Sequence, residues 1–183
     1  MKIEFEVKIL DVNVEEVKER LQQTGAVKLA ERSMRRFVYF NPDKDWLWLR
    51  LRDDGEKTTL TVKEHSHAGI DGTKELEVTV GDFEDARRLL EKIGFQPQAY
   101  QENKRVSYSL DGCGVEIDYW PRIPPYVEVE GPTAADVLRV VKLLGFTEAD
   151  TTAIDVARVY ARYNLDLHAF KELKFTSEKE GDR

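Results

Sequence analysis

One unit, a strand carrying Glu-x-Glu followed by a helix, occurs three times in this chain and restricts the possible folds more than any other feature. The strands hold Glu4-Phe5-Glu6, Glu75-Leu76-Glu77 and Glu128-Val129-Glu130, and the segments after them align without gaps as Val14 to Ala26, Phe83 to Phe95 and Ala134 to Phe146. Successive side chains of a strand point to opposite faces, so each acidic pair shares one side while Phe5, Leu76 or Val129 takes the other. In each following segment apolar or small residues recur at i, i+3 and i+7, as in Phe83, Ala86 and Leu90, which makes one buried helical stripe. Gly25, Gly94 and Gly145 stand where a left-handed residue ends a helix, and Asn13 and Asp82 are candidate N-caps. The helices are expected to cover the apolar side of the strands they follow, leaving the charged sides turned away.

The other strands obey the same parity. Arg35 to Phe40 is a candidate strand, closed by Asn41-Pro42-Asp43. In Trp46 to Arg52, Leu47, Leu49 and Leu51 alternate with Trp48, Arg50 and Arg52. Lys57 to Lys63 sets Thr59, Thr61 and Lys63 against Leu60 and Val62; Asn103 to Leu110 sets Asn103, Arg105 and Ser107 against Lys104, Val106 and Tyr108; Val115 to Tyr119 puts Glu116 and Asp118 together. Trp120 to Pro125, with three prolines, is a stiff connection. Thr152 to Tyr163 reads as a further helix, with Thr152 and Asp155 at capping-box spacing. His65 and His67 fall in a glycine-containing loop, where an i, i+2 pair without another ligand nearby is a weak metal signal.

Eight strands result, joined mostly by turns too short for anything but antiparallel pairing. Their charged faces must meet, either as an open wet sheet or as the lining of a closed barrel. That shared side carries Glu4, Glu6, Glu75, Glu77, Glu116, Asp118, Glu128 and Glu130, with Lys8, Arg50, Arg52, Lys63 and Arg105. An unpaired buried ion costs several kcal/mol. The surface is therefore watery, cross-neutralised or filled by a charged ligand. Carboxylate clusters supply the hard oxygens that Mg²⁺ or Mn²⁺ prefers, and arginine forks match phosphate oxygens. Together they suit a polyphosphate bridged to a metal.

Composition narrows the setting. At 183 residues the chain is one domain, expected over 1–170, with a polar tail over 171–183. Its formal charge of −7 argues against general nucleic-acid binding through phosphate neutralisation. No apolar run is long enough for a membrane span and no signal-peptide core is visible, so a cytoplasmic protein is expected. The single cysteine, Cys113, allows no internal disulfide and reads as structural.

With Glu4-x-Glu6-x-Lys8, Arg50-x-Arg52, the Thr-x-Lys strand ending at Lys63, the pair Glu75 and Glu77, Asp118 before the proline loop and the final Glu128-x-Glu130 all in order, the chain resembles the CYTH superfamily of triphosphate tunnel metalloenzymes. The resemblance covers nearly the whole sequence and implies an α+β fold, an eight-stranded antiparallel β-barrel with a polar, charged interior and helices packed outside. It implies that Lys8, Arg50, Arg52, Lys63 and Arg105 bind a small triphosphate. Glu4, Glu6, Asp118, Glu128 and Glu130 would hold Mg²⁺ or Mn²⁺, with Glu4, Glu6, Lys8 and Lys63 catalytic. Glu75, Glu77 and Glu116 form a possible further site, Glu75 and Glu77 as metal ligands, water-positioning groups or partners of the bases. The segment around Tyr160 and Tyr163 resembles a helix closing one tunnel mouth; simple packing is the alternative.

One departure stands out. Many members carry Lys-x-Arg where this chain has Asn103-Lys104-Arg105, and parity turns Lys104 to the apolar side. The resemblance leaves three activities: hydrolysis of tripolyphosphate, thiamine triphosphate or a nucleoside triphosphate; conversion of ATP to cyclic AMP and pyrophosphate by a class IV adenylate cyclase; or polyphosphate binding without turnover. Either a monomer or a homodimer is compatible with these readings.

Overall fold

The computed structural model describes residues 1–41, 44–65 and 69–176. Eight long strands, β1 (Lys2–Ile9), β2 (Val27–Asn41), β3 (Lys44–Asp53), β4 (Thr58–His65), β5 (Thr73–Val80), β6 (Ala99–Leu110), β7 (Cys113–Tyr119) and β8 (Tyr126–Gly131), form the body. Around the barrel the order is β6, β2, β3, β4, β5, β1, β8, β7, and β7 pairs back to β6. Every one of these pairings is antiparallel, and closure leaves none of the eight without two neighbours. Of the open sheet and the closed barrel that parity allowed, the observed fold is the closed barrel implied by the resemblance.

Two short strands fill places where the long ones outrun their partners. β5 pairs with β1 only as far as Glu4, and β9 (Thr151–Thr152) takes up Lys8 and Ile9 beyond it. β7 reaches β6 only as far as Lys104, and β10 (Glu172–Leu173) pairs in parallel with Tyr100 and Gln101. The segment read as a polar tail from Lys171 thus starts by joining the sheet and burying Leu173; residues 177–183 lie outside the described ones.

Among the described residues four α-helices surround the barrel: α1 (Val14–Gln23), α2 (Phe83–Lys92), α3 (Ala134–Leu143) and α4 (Val156–Arg162). Asn13, Asp82 and Thr133 cap the first three by accepting from backbone N–H groups in the first turn. Gly25, Gly94 and Gly145 have φ of 75, 101 and 85°, and the residue after each donates back five positions, as Ala26 N does to Leu21 O. The expected fourth helix is shorter at its start: Thr152 belongs to β9 and Asp155 is the N-cap. Its expected capping box is absent, because the open edge of β1 takes the backbone of Thr151 and Thr152; a capping box occurs instead at Thr147 and Asp150.

α1 and α3 lie against the outside of β1, β8, β7 and β6, where Val7, Val115, Ile117, Val127, Val129, Val137, Val140 and Val141 are buried. Each such side chain contributes about 1.5–3 kcal/mol when fully buried. Cys113 belongs to this cluster, and Gly131 has no room for a side chain, since an added Cβ would stand 2.7 Å from Cys113 Sγ. α2 departs from expectation. It reaches only Val80 at the end of β5, the strand it follows, and packs Phe83 and Leu90 over Tyr39 and Leu51 of β2 and β3. The two-residue link from β5 swings the helix sideways, and Leu76 and Val78 stay 55% and 51% exposed. α4 packs Val159 and Tyr160 on Trp120, Ile123 and Tyr126.

Candidate active site

The inner strand faces enclose a cavity of about 360 Å³, within the size range of small-molecule sites. Its lining holds Glu4, Glu6 and Lys8 from β1, Arg50 and Arg52 from β3, Lys63 from β4, Glu75 and Glu77 from β5, Arg105 from β6, Asp118 from β7, and Glu128 and Glu130 from β8. Every carboxylate, lysine and arginine named from the sequence as a site candidate is therefore brought to one cavity, except Glu116. That carboxylate stands at the same inner face, takes a hydrogen bond from Ser107 Oγ at 2.5 Å, and lies outside the lining.

The charges neutralise one another. Lys8 Nζ lies 3.0 Å from Glu6 and 3.2 Å from Glu128. Burial opposes the Lys8 charge, but Glu128 and Glu6 outweigh it and raise the ammonium above its ordinary range. Glu128 is the converse: burial disfavours its charge, yet Lys8 and Arg105 hold the carboxyl well below the usual carboxylate range. Arg105 grips Asp118 with two nitrogens, at 2.9 and 2.5 Å, and reaches Glu128 at 3.1 Å.

On the opposite side Arg50 and Arg52 both reach Glu77 at 3.4 Å, and Thr61 Oγ1 donates to the same oxygen at 2.8 Å. Lys63 bridges Glu4 at 3.0 Å and Glu75 at 3.1 Å. Burial, opposed by Lys63 and assisted by the neighbouring Glu75, lifts the Glu4 carboxyl to about 7. Burial also lowers the Arg50 guanidinium to about 10, with Arg52 beside it adding to the effect.

Among the described residues no three acidic, histidine or cysteine side chains form a ready metal cage, because their oxygens are drawn to lysines and arginines. The donor chemistry nonetheless suits a hard divalent cation. Glu6 and Glu130 stand directly opposite each other on β1 and β8, as do Glu116 and Glu128 on β7 and β8. Like charges directly opposed are destabilising, and a cation between them removes the penalty. Of the two histidines read as a weak metal signal, His67 and the side chain of His65 lie outside the described residues.

Four features of the site were not read from the sequence, among them the partners of Asn103, a residue that parity had already placed inward. Arg36, from β2, lines the cavity and is buried. Asn103 is 1% exposed, accepts from Arg36 Nη2 and donates to Asp118 Oδ1 at 3.3 Å. Gln101 lies opposite Arg36 on β6. One end of the cavity is apolar, built from Val38, Phe40, Trp48, Val156 and Leu167, with His168 edge-on to Phe40 at 5.1 Å. Lys104 does turn outward, as parity predicts, and lies 5.1 Å from the Phe175 ring. Tyr160 and Tyr163 do not line the cavity: Tyr160 donates to Pro121 O at 2.7 Å within the core, and Tyr163 donates to Asp11 at 2.8 Å. The start of α4, at Asp155, Val156 and Ala157, is what faces the cavity.

A closed antiparallel barrel with ion pairs inside and its oily faces largely under helices defines a class of charged-lumen barrels. This chain belongs to the CYTH family, whose domain its residues 2–154 match. The family is one of triphosphate-acting enzymes that in general depend on a metal. Over 136 residues, 71% of this chain and 76% of the relative, it is 29% identical to a Methanocaldococcus jannaschii protein named "Putative adenylate cyclase MJ0240". A conserved hypothetical protein of Pyrococcus furiosus has a similar solved structure, with TM-score 0.73 and 25% identity over 84% of this chain and 97% of that one. A Hippeastrum protein described as having a dominant triphosphatase activity shares the fold at TM-score 0.57 and 15% identity, over 93% of this chain and 100% of its own. Among the described residues no helix is long and apolar enough to cross a membrane.

Proposed function

We propose that this protein is a metal-dependent hydrolase that cleaves a phosphoanhydride bond of a small triphosphate held inside the barrel. The observation that supports it most is the pairing of Lys8, Arg50, Arg52, Lys63 and Arg105 with carboxylates across one lumen. Such pairs can open to a polyphosphate on the basic side and a cation on the acidic side at little net electrostatic cost. The lysines and arginines bind the phosphate oxygens, the arginines as forks. Glu75 and Glu77 keep Lys63, Arg50 and Arg52 oriented.

Glu6 and Glu130, with Glu4, Asp118 and Glu128, would hold one or two Mg²⁺ or Mn²⁺ ions. When bound, the metal neutralises phosphate charge and lowers the pKa of water. In hydrolysis a water oxygen bonds to phosphorus, the bridging P–O bond breaks, and its electron pair leaves on the departing phosphate chain, while the proton shed by the water passes to solvent or to that leaving phosphate. The buried cations stabilise the charge that develops there.

The second reading, a class IV adenylate cyclase, is favoured by the name of the Methanocaldococcus relative and by the apolar end of the cavity, where a base could stack. Its nucleophile is the ribose 3′-OH and its products are cyclic AMP and pyrophosphate. A non-catalytic polyphosphate-binding module is the third. Purified protein incubated with Mg²⁺ or Mn²⁺ and, in parallel, tripolyphosphate, thiamine triphosphate or ATP should release phosphate. Cyclic AMP as the main product would sink the hydrolase, and tight metal-dependent binding without turnover would favour the module.

A further inference from the structure

Of the six cations lining the cavity, five have a carboxylate within 4.0 Å; among the described residues, Arg36 has none. It is also 8% exposed, and its Nε–H is buried without a hydrogen-bond partner. Its surroundings on balance disfavour the charge, which the carboxylate of Asp118 only partly offsets. Burial, followed by the nearby guanidiniums of Arg50, Arg52 and Arg105, pushes its own guanidinium well below the ordinary arginine range. Arg36 also stands directly across from Arg52 on β3.

The side chain is nevertheless held in place. Its Nη2 donates to Asn103 Oδ1 and its Cζ lies 4.7 Å from the centroid of the Trp120 ring. The amide orientation follows from its partners: arginine only donates and a carboxylate only accepts, so Asn103 must present oxygen to Arg36 and nitrogen to Asp118. Asp118 is thereby occupied by Asn103 and Arg105. A buried cation that the protein orients but does not neutralise is complementary to an anion from elsewhere.

The geometry points to Arg36 as a phosphate-binding residue of the triphosphate site, with Asn103 and Trp120 as its positioning residues, an inference that rests on the triphosphate reading. The positive charge absent at position 103 is supplied from the neighbouring strand. A lysine at 103 would meet the guanidinium that Asn103 now receives, so Asn103 and Arg36 belong together. The replacement also changes recognition, because a guanidinium fork engages two oxygens of one phosphate where an ammonium is a point charge.

The test is calorimetric titration of tripolyphosphate into wild type, Arg36→Gln, Arg36→Lys and the double variant Arg36→Gln with Asn103→Lys, with thermal melting of each free protein. Arg36→Gln should bind about tenfold more weakly or worse, since a charge-assisted contact is lost. It should melt no lower than wild type, because an unneutralised buried charge has gone. The double variant should return to within about threefold of wild type, and Arg36→Lys should fall between.

Wild-type affinity in Arg36→Gln overturns the inference while leaving the triphosphate site standing. So does a lower melting point without rescue by the double variant, which marks Arg36 as merely structural. If Arg36→Gln fails to fold, wild-type affinity in Arg36→Lys overturns the fork. No binding of tripolyphosphate by wild type, with or without Mg²⁺, overturns both readings.

Discussion

The two walls of the cavity carry opposite charge and rest on unequal support. The acidic wall, from β1, β8 and β7, is backed by a dry layer in which Val115, Ile117, Val127, Val129, Val137, Val140 and Val141 have essentially no exposure. The basic wall, from β2, β3 and β4, is backed by α2 alone through Phe83 and Leu90, and the adjoining outer face of β5 is bare at Leu76 and Val78. This difference matches what each wall has to hold. Short carboxylates serve a small cation only if their backbones are placed within about 0.5 Å, so rigid packing matters there. Long arginine and lysine stems can adjust to phosphate oxygens over a less rigid base.

The contrast can be broken most directly at Glu6. Glu6→Gln keeps the shape and removes the charge; turnover of the best triphosphate should fall about a thousandfold, equivalent to about 4 kcal/mol, with melting little changed. Activity within tenfold of wild type would remove the acidic wall from metal binding. Behind that wall, Ile117→Ala should cost about 3 kcal/mol in urea unfolding, because the closed layer cannot collapse onto the space left. A loss below about 1 kcal/mol would show the backing to be softer than its burial indicates.

On the basic wall, Arg52→Ala should raise KM about tenfold, or about 1.4 kcal/mol, with a smaller change in kcat. An unchanged KM with a collapsed kcat would move Arg52 from binding to chemistry. The smallest effect is expected at Leu76→Ser, on the bare strand, where stability should change by no more than about 0.5 kcal/mol. A larger loss would mean that something covers this face in solution.

Where the sequence alternates cleanly, it was legible. Leu47, Leu49 and Leu51 against Trp48, Arg50 and Arg52 placed β3 with its charged side inward, and the Glu-x-Glu pairs did the same for β1, β5 and β8. Gly25, Gly94 and Gly145 marked the helix ends because only a left-handed residue ends a helix in that way. Arg36 was hidden because Arg35-Arg36-Phe37-Val38-Tyr39-Phe40 carries one arginine and two apolar or aromatic residues on each face. Phe37 and Tyr39 go under α2, while Val38 and Phe40 line the apolar end of the cavity, so no polar side marks the interior. The direction of α2 was equally hidden, since an amphipathic stripe shows that a helix buries one face but not which strands receive it. Thr152 suited a helix start locally and lost to an unfilled edge of β1, a contact no local pattern encodes.

Cys113 has a practical consequence. The only sulfhydryl in the chain is 3% exposed, sits under Gly131, and is raised in pKa by burial, so it reacts poorly with alkylating probes. A cysteine introduced at a single chosen point would therefore be the only one to take a dye. The wild-type protein thus already provides the silent background that fluorescence or spin labelling at the cavity mouth requires.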